Sequence, residues 1–254
     1  MRQIIQKIDS VFLGNVIHRL LRLYRTRVFK SSYNEAYRMV VYYDRFQNPL
    51  AELCDKYGSD KGSRTSSNHP YPWVAHTYAD FYHTLFSYRR FEVSRVFECG
   101  IGTDNPDLAS SMSATGKPGS SLRAWRDYFP KALVIGADID KSILFEEERI
   151  KTCYVDQTKP ETIKKMWEQI GGDEFELMID DGLHTFESSV CLFENSVYKL
   201  AKGGFYVIED VDKGDLIKYR RFFQSHSKYD VKFVSLYRPD CELANNNLVV
   251  VQVV

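Results

Sequence analysis

Residues 93–102, VSRVFECGIG, decide the fold of this chain. Their apolar positions predict a short buried strand. The closing glycines, Gly100 and Gly102, predict a tight turn where the backbone can approach a ligand without a Cβ in the way. The pattern is not the full G-x-G-x-x-G of a dinucleotide site, because Asn105 holds the last position, and the Lys-Ser/Thr of a P-loop is absent. Alone, the E-x-G-x-G that begins at Glu98 is as typical of a structural turn as of a ligand site.

Strands and helices alternate after this turn. Further strands are predicted in ALVIGADID (132–140), RIKTCYVDQT (149–158), FELMIDDG (175–182) and FYVIEDV (205–211), and helices at 78–85, 121–130, 160–170, 184–200 and 216–226. Such alternation is typical of a doubly wound parallel sheet. The connection between YDVKFVSLY (229–237) and NNLVVVQVV (246–254) is too short for a helix, so these strands should pair antiparallel. We therefore predict an α/β, Rossmann-like, mostly parallel seven-stranded sheet with an antiparallel last strand.

The 254 residues divide into three segments. Residues 1–48 are predicted to form a helical N-terminal arm, because apolar residues recur at helical spacing over positions 3–24 and Lys/Arg residues fill the other face. This helix either lies on the domain or a neighbouring subunit, or acts as a dimerisation arm, or lies at a membrane interface. We favour the protein contact and expect a homo-oligomer. Residues 49–90 form a loop-and-helix segment, and residues 91–254 form the Rossmann-like domain.

Composition excludes several classes of function. The 34 basic and 34 acidic residues cancel, so no global field favours nucleic acid. No apolar run approaches the roughly 20 residues of a membrane-spanning helix, and the N-terminus lacks a signal-peptide cleavage site. The five cysteines are scattered and odd in number, so we interpret them as reduced packing residues: Cys54, Cys99, Cys153, Cys191 and Cys241. A cytoplasmic protein is expected.

Polar side chains follow the first three strands and predict a nucleoside site. Asp138 can accept hydrogen bonds from ribose hydroxyls, whereas Asp140 either does the same or caps the next helix. Asp156 and Gln157 either bond an adenine amino group or cap the helix near Pro160. An adenosine site without phosphate-binding groups fits S-adenosylmethionine. The predicted cofactor-binding residues are Glu98, Gly100, Gly102, Asp138, Asp156, Gln157 and Asp180.

Acidic residues also follow the fourth and fifth strands. Asp181 and Glu209 are 28 residues apart, and Asp210 adds a third carboxylate. If the two strands are adjacent and parallel, these groups meet at one edge, which is costly unless a cation neutralises them. Oxygen ligands suit Mg²⁺ or another hard divalent ion. The alternative is that they are helix caps and surface acids. His184, with an expected pKa near neutrality, is placed to accept a proton.

These motifs together resemble the metal-dependent bacterial sugar O-methyltransferases, which act on macrolide sugars and surface polysaccharides. The similarity covers about residues 50–254 and includes the sequences ECGIG, SLRAWRDYFP, GADID, VDQT, IDDGLH and GGFYVIEDV. The resemblance implies Mg²⁺ held by Asp181, Glu209 and Asp210, with Asp181 and His184 in the catalytic centre and His184 as general base. It also implies that the GSDKG segment (58–62) and the aromatic stretch through Tyr78 cover the cofactor and the substrate.

The expected reaction is transfer of a methyl group to a hydroxyl of a sugar or sugar nucleotide. A methyltransferase of the same fold acting on a catechol or small phenol is the first alternative, because vicinal oxygens chelate a metal in both acceptors. The second is a non-catalytic adenosine-binding module. The insertion at 104–119 has no predicted role.

Overall fold

The computed structural model describes residues 38–41, 48–62, 69–172, 174–236 and 243–253. The predicted helix over positions 3–24, with any self-association or membrane contact through it, lies outside the described residues, as does Cys241. The other four cysteines are free thiols: Cys54, Cys99 and Cys153 are buried, and Cys191 is partly exposed. No helix in the described ranges is long and apolar enough to cross a membrane.

The described ranges contain nine strands and six α-helices. The strands are β1 (Arg38–Val41), β2 (Arg95–Cys99), β3 (Leu133–Asp138), β4 (Glu146–Glu147), β5 (Ile150–Tyr154), β6 (Phe175–Asp180), β7 (Leu200–Ile208), β8 (Tyr229–Leu236) and β9 (Asn247–Val253). The helices are α1 (Pro49–Tyr57), α2 (Tyr78–Phe86), α3 (Ser120–Tyr128), α4 (Pro160–Ile170), α5 (Phe186–Glu194) and α6 (Leu216–Gln224). Two short 3₁₀ helices lie at Lys141–Ile143 and Val197–Lys199.

All nine strands form one sheet, in the order β1-β8-β9-β7-β6-β2-β3-β5-β4. The pairs from β7 through β6, β2 and β3 to β5 are parallel, and β9 is antiparallel to both β7 and β8. The predicted doubly wound sheet with an antiparallel last strand is therefore confirmed. The two strands beyond the predicted seven are the short edge strands β1 and β4, which have too few residues to show an alternating pattern.

One boundary differs from the prediction. The helix expected over 184–200 ends at Glu194, and β7 already begins at Leu200. Gly203 and Gly204 therefore lie inside a strand, where the register with β6 shifts between Phe175 and Leu177. Glycine tolerates such an irregularity, so the Gly-Gly pair lies where the regular pairing of the two strands is interrupted.

Helices cover both faces of the sheet. Successive side chains of a strand point to opposite faces, so one strand can pack against helices on both sides. Val96 of β2 packs into a core shared with Trp125 of α3 and Leu50 of α1. Its neighbour Phe97 points the other way, and its ring centre lies 4.7 Å from that of Trp167 on α4. With both faces buried, functional side chains gather at the ends of the strands.

Candidate active site

A cavity of about 340 Å³ lies at the carboxyl ends of the parallel strands. β2 lies at the centre of these strands. The chain first adds β3 and β5 on one side of β2 and later adds β6 and β7 on the other side. Ligands bind at such a switch point in open α/β sheets. The 104–119 insertion contributes Ala109 through Met112 to the lining. The 49–90 segment contributes Asp60, Trp73, Val74 and His76.

The turn after β2 has the conformation that its glycines predict. Gly100 has φ +86 and Gly102 has φ +81, both in the left-handed region that favours glycine. A Cβ on Gly100 would collide with the backbone carbonyl of Asp181. Asp138 fixes the same turn, because its carboxylate accepts the Ile101 N–H at 2.8 Å. Both glycines and Asp138 line the cavity.

The neighbouring loops are held together by their own polar groups. Asp140 caps the 3₁₀ helix that follows it, as one of the two predictions for it states. Asp156 accepts from Thr158 and pairs with Lys159 at 2.7 Å, but it is not the residue that caps α4. Gln157 donates to Asp180 at 2.9 Å and accepts the Leu183 N–H at 2.7 Å.

The predicted cofactor residues thus fall into two groups. Gly100, Gly102, Asp138, Asp156 and Gln157 line the cavity. Asp180 is buried behind Gln157, and Glu98 is fully buried and turned toward α3, where it accepts from Ser121 at 2.7 Å and Trp125 at 3.1 Å. Burial raises the pKa of Glu98 to about 7. Both carboxylates support the walls of the cavity from behind.

Three of the predicted catalytic and metal-binding residues come together at the cavity. Asp181, His184 and Asp210 each place a ligand atom within 4.8 Å of the others. The His184 Nε2 lies 3.3 Å from an Asp181 oxygen, and its Nδ1 lies 3.6 Å from an Asp210 oxygen. Asp210 also accepts a hydrogen bond from the Tyr78 hydroxyl at 2.6 Å.

The pKa of His184 differs from the near-neutral expectation. Burial lowers it, but the close contact with Asp181 and the charge of Asp210 outweigh burial and raise the pKa to about 9. His184 would therefore carry a proton at neutral pH until a further cation offsets the charge of the two carboxylates beside it, even though Lys61 already contacts Asp181. The sequence could not predict this pKa. The protonation state of an imidazole depends on the negative charge around it, and the spacing of residues in the sequence does not show how close those charges lie.

Glu209 lies apart from this group, although the sequence places it with the metal ligands. Its two carboxylate oxygens are taken by the Tyr82 hydroxyl at 2.6 Å and by the Lys61 ammonium at 2.5 Å. Lys61 also contacts Asp181 at 2.5 Å. The sequence prediction missed Lys61, although the GSDKG motif contained it, because nothing in that loop shows that its side chain reaches the sheet.

A second histidine, also missed, stands on the far side of Asp210. His76 lies 3.5 Å from an Asp210 oxygen and 3.4 Å from an oxygen of Asp60. Its ring stacks on Tyr78 with ring centres 5.2 Å apart. Asp210 is therefore bracketed by two imidazoles and a phenol, so its orientation is fixed from three sides.

Known proteins resemble this chain in sequence and fold. The 8-demethyl-8-α-L-rhamnosyl tetracenomycin-C 2′-O-methyltransferase of Streptomyces olivaceus is 31% identical over 186 residues, which are 73% of this chain and 43% of that protein. Demethylmacrocin O-methyltransferase of Streptomyces fradiae is 34% identical over 137 residues, 54% of this chain and 32% of that protein. The chain thus spans less than half the length of these relatives. No protein-family model matches the chain.

A solved structure agrees on the fold. The MycE methyltransferase of the mycinamycin pathway, in complex with Mg, S-adenosylhomocysteine and mycinamycin VI, superposes with a TM-score of 0.58 at 24% identity. The match covers 81% of this chain and 54% of MycE. The chain is therefore homologous to these sugar O-methyltransferases over part of their length, and it shares the Rossmann-like fold of MycE.

Proposed function

We propose that the protein transfers a methyl group from S-adenosylmethionine to a sugar hydroxyl, with help from a divalent cation such as Mg²⁺. One observation carries the proposal. Asp181, His184 and Asp210 converge on the same cavity as the Gly100–Gly102 turn and Asp138. A methyl donor held on the glycine side would thus lie beside a proton acceptor and a pair of acids.

The donor would bind at the ends of β2, β3 and β5. The left-handed Gly100–Gly102 backbone allows close approach of its amino-acid part, and Asp138 is placed for the ribose hydroxyls. Asp156 and Gln157 would contact the adenine side, while Glu98 and Asp180 hold the cavity walls. The absence of a P-loop Lys-Ser/Thr agrees with a donor that has no phosphate.

The chemistry of the acids fits a hard cation. Two carboxylates, Asp181 and Asp210, offer oxygen atoms within 4.8 Å of each other at the cavity wall. Glu209 is the third candidate ligand, and it would have to give up its contact with Lys61. When bound, the cation would polarise the acceptor oxygen and hold it in place. It would also compensate the two carboxylates that raise the pKa of His184.

His184 would then accept the hydroxyl proton at a ring nitrogen as the acceptor oxygen attacks the methyl carbon. The new O–C bond forms as the C–S bond breaks, its electron pair goes to sulfur, and S-adenosylhomocysteine leaves neutral. A sulfonium leaving group needs no proton, so no second acid is required. The cavity walls contribute by holding oxygen and methyl in line, which lowers the entropic part of the barrier.

A sugar acceptor is supported by the relatives, whose names describe O-methylation of rhamnosyl and olivosyl groups. Vicinal sugar hydroxyls also match a cation held at one edge of a cavity. Glycosylated natural products and bacterial surface glycans are the acceptor classes that we propose.

An acceptor panel tests this function. Purified protein with labelled S-adenosylmethionine and Mg²⁺ is offered alkyl L-rhamnosides, nucleotide-linked deoxysugars and catechols. We expect label in the sugars, loss of that label in Asp181→Asn, and full activity in His226→Asn, a control in the turn after α6. Label in the catechols alone would indicate that the acceptor is a phenol and not a sugar. Binding of S-adenosylhomocysteine without transfer to any acceptor would favour the non-catalytic module.

A further inference from the structure

Lys61 is a buried cation that bridges three neighbouring strand ends. It follows α1, and only 1% of its side chain is exposed. Its ammonium lies 2.5 Å from Asp181 Oδ2, 2.5 Å from Glu209 Oε2 and 3.4 Å from Glu98 Oε1. These carboxylates belong to the ends of β6, β7 and β2, which are consecutive in the sheet.

The backbone around Lys61 holds it in that position. The Lys61 carbonyl accepts the Ala79 N–H at 2.9 Å, and the Asp60 carbonyl accepts the His76 N–H at 2.8 Å. The loop is thus anchored at the start of α2, the helix whose Tyr78 and Tyr82 bond to Asp210 and Glu209. One loop and one helix together fix a lysine and two acids.

Lys61 remains charged in this setting. Burial lowers its pKa, but the carboxylates of Asp181, Glu209 and Glu98 outweigh burial and raise the pKa well above the ordinary value. A permanently protonated amine cannot serve as the general base. Its charge does compensate carboxylates that would otherwise be buried without a counter-ion, which is a costly arrangement.

We propose that Lys61 is a positioning residue that acts as the site's own cation, and that it competes with a divalent metal ion for the oxygens of Asp181 and Glu209. The inference rests on the proposed function, since it requires a metal ion at these acids. A magnesium ligand oxygen lies roughly 2.1 Å from the ion, and the same oxygens now contact an ammonium. A divalent ion and the Lys61 ammonium bound to the same carboxylate oxygens would lie close together and repel each other strongly.

Two opposite effects follow for the Lys61→Met variant, which keeps the length of the side chain and removes its charge. The metal-free variant should unfold more easily than the wild type, because the fully buried Glu98 and Glu209 and the partly exposed Asp181 lose their counter-ion. Its affinity for a divalent ion should rise by about tenfold, because the competing charge is gone. A lysine with only a packing role would not tighten metal binding when removed.

Calorimetric titration with Mn²⁺ after EDTA treatment measures the affinity, and thermal unfolding of the same samples measures stability. Lys61→Arg retains the charge and should not bind Mn²⁺ more tightly than wild type. Lys56→Met removes a lysine from α1 that is 61% exposed, and it should match the wild type in both measurements.

Equal or weaker Mn²⁺ binding by Lys61→Met would overturn the inference while leaving the proposed metal in place. No Mn²⁺ binding by the wild type would overturn the metal assignment itself, and the inference with it. If Lys61→Met does not fold, crystals of the wild type with and without Mn²⁺ decide. The ammonium should leave Glu209 when Mn²⁺ binds, and an unchanged 2.5 Å contact in the Mn²⁺ complex would contradict the competition.

Discussion

His184 and Asp210 both have left-handed backbones, with φ values of 59 and 52. Residues other than glycine rarely adopt this conformation, which costs on the order of 1–3 kcal/mol. The surroundings impose it: Thr185 caps α5 immediately after His184, and the Asp210 N–H donates to the Tyr78 hydroxyl at 3.2 Å. Strained backbone thus lies where two side chains must converge on the cavity.

Replacing His184 by Asn tests the role of the imidazole. Asn tolerates the left-handed conformation, so the fold and donor binding should be retained while the proton acceptor is lost. We expect methyl transfer to fall by about 10²–10⁴-fold, with little change in the dissociation constant of S-adenosylhomocysteine. Steady-state rates and calorimetry check the two parts. Wild-type rates in this variant would exclude His184 as the base.

Glu98 gives the protein a pH-dependent stability. Burial raises its pKa from the usual 4.5 to about 7, so the folded protein binds this proton more tightly than the unfolded chain does. The resulting stability is fully present below pH 4.5 and is lost as the pH rises to 7. The loss should be about 2–3 kcal/mol.

Urea unfolding of metal-free protein at pH 4.5, 5.5 and 7 measures that loss. Glu98→Gln cannot titrate, so it should gain stability relative to wild type as the pH rises across this window. Glu148→Gln changes an exposed acid and should follow the wild type. If the free energy of unfolding changes with pH in the same way for Glu98→Gln and wild type, the buried carboxyl does not titrate between pH 4.5 and 7.

At the scale of elements, the turn after β2 and the loop after β6 are packed against each other. Gly100 has φ +86, and a Cβ there would collide with the Asp181 carbonyl. Gly203 in β7 has φ +75, but a Cβ on it would meet no other atom within 4 Å. Gly203 therefore bears the same conformational cost without a clash.

The pair Gly100→Ala and Gly203→Ala therefore separates collision from backbone strain. Both variants should lose about 1 kcal/mol from the positive φ. Only Gly100→Ala should also displace Asp181 and lower the affinity for S-adenosylhomocysteine, by tenfold or more. Chemical denaturation and calorimetry measure the two effects. Equal donor affinity in both variants would mean that the turn does not touch the donor.

Helix α2 organises the acids from the opposite side. Tyr78 and Tyr82 are four residues apart and therefore share one face of the helix. Their hydroxyls donate to Asp210 and Glu209 at 2.6 Å each. Helix α2 precedes β2 in the chain but fixes residues that follow β7, so the 49–90 segment helps to shape the carboxyl edge of the sheet.

At the scale of the molecule, the periodic pattern of apolar residues predicted the sheet, whereas the arrangement of the site depends on contacts between segments that are far apart in the sequence. Alternating apolar runs and the glycine turn of 93–102 sufficed for the class of sheet and the direction of its strands, because both depend on pattern and connection length. Strand ends also placed Asp181 and Asp210 correctly at the cavity. Lys61 could not be predicted, because it lies 120 residues from Asp181 and reaches it only through the docking of α1 and α2. The partners of Glu98 and Glu209 depend on the same docking.

The central claim is that the cavity performs metal-assisted methyl transfer to a sugar. Transfer of a labelled methyl group from S-adenosylmethionine to an L-rhamnoside, with Mg²⁺ and with EDTA, tests it most directly. Turnover should require the divalent ion, disappear in EDTA and return when excess Mg²⁺ is added, because Asp181 and Asp210 lie together at the cavity wall. Undiminished transfer by metal-free protein would contradict the account.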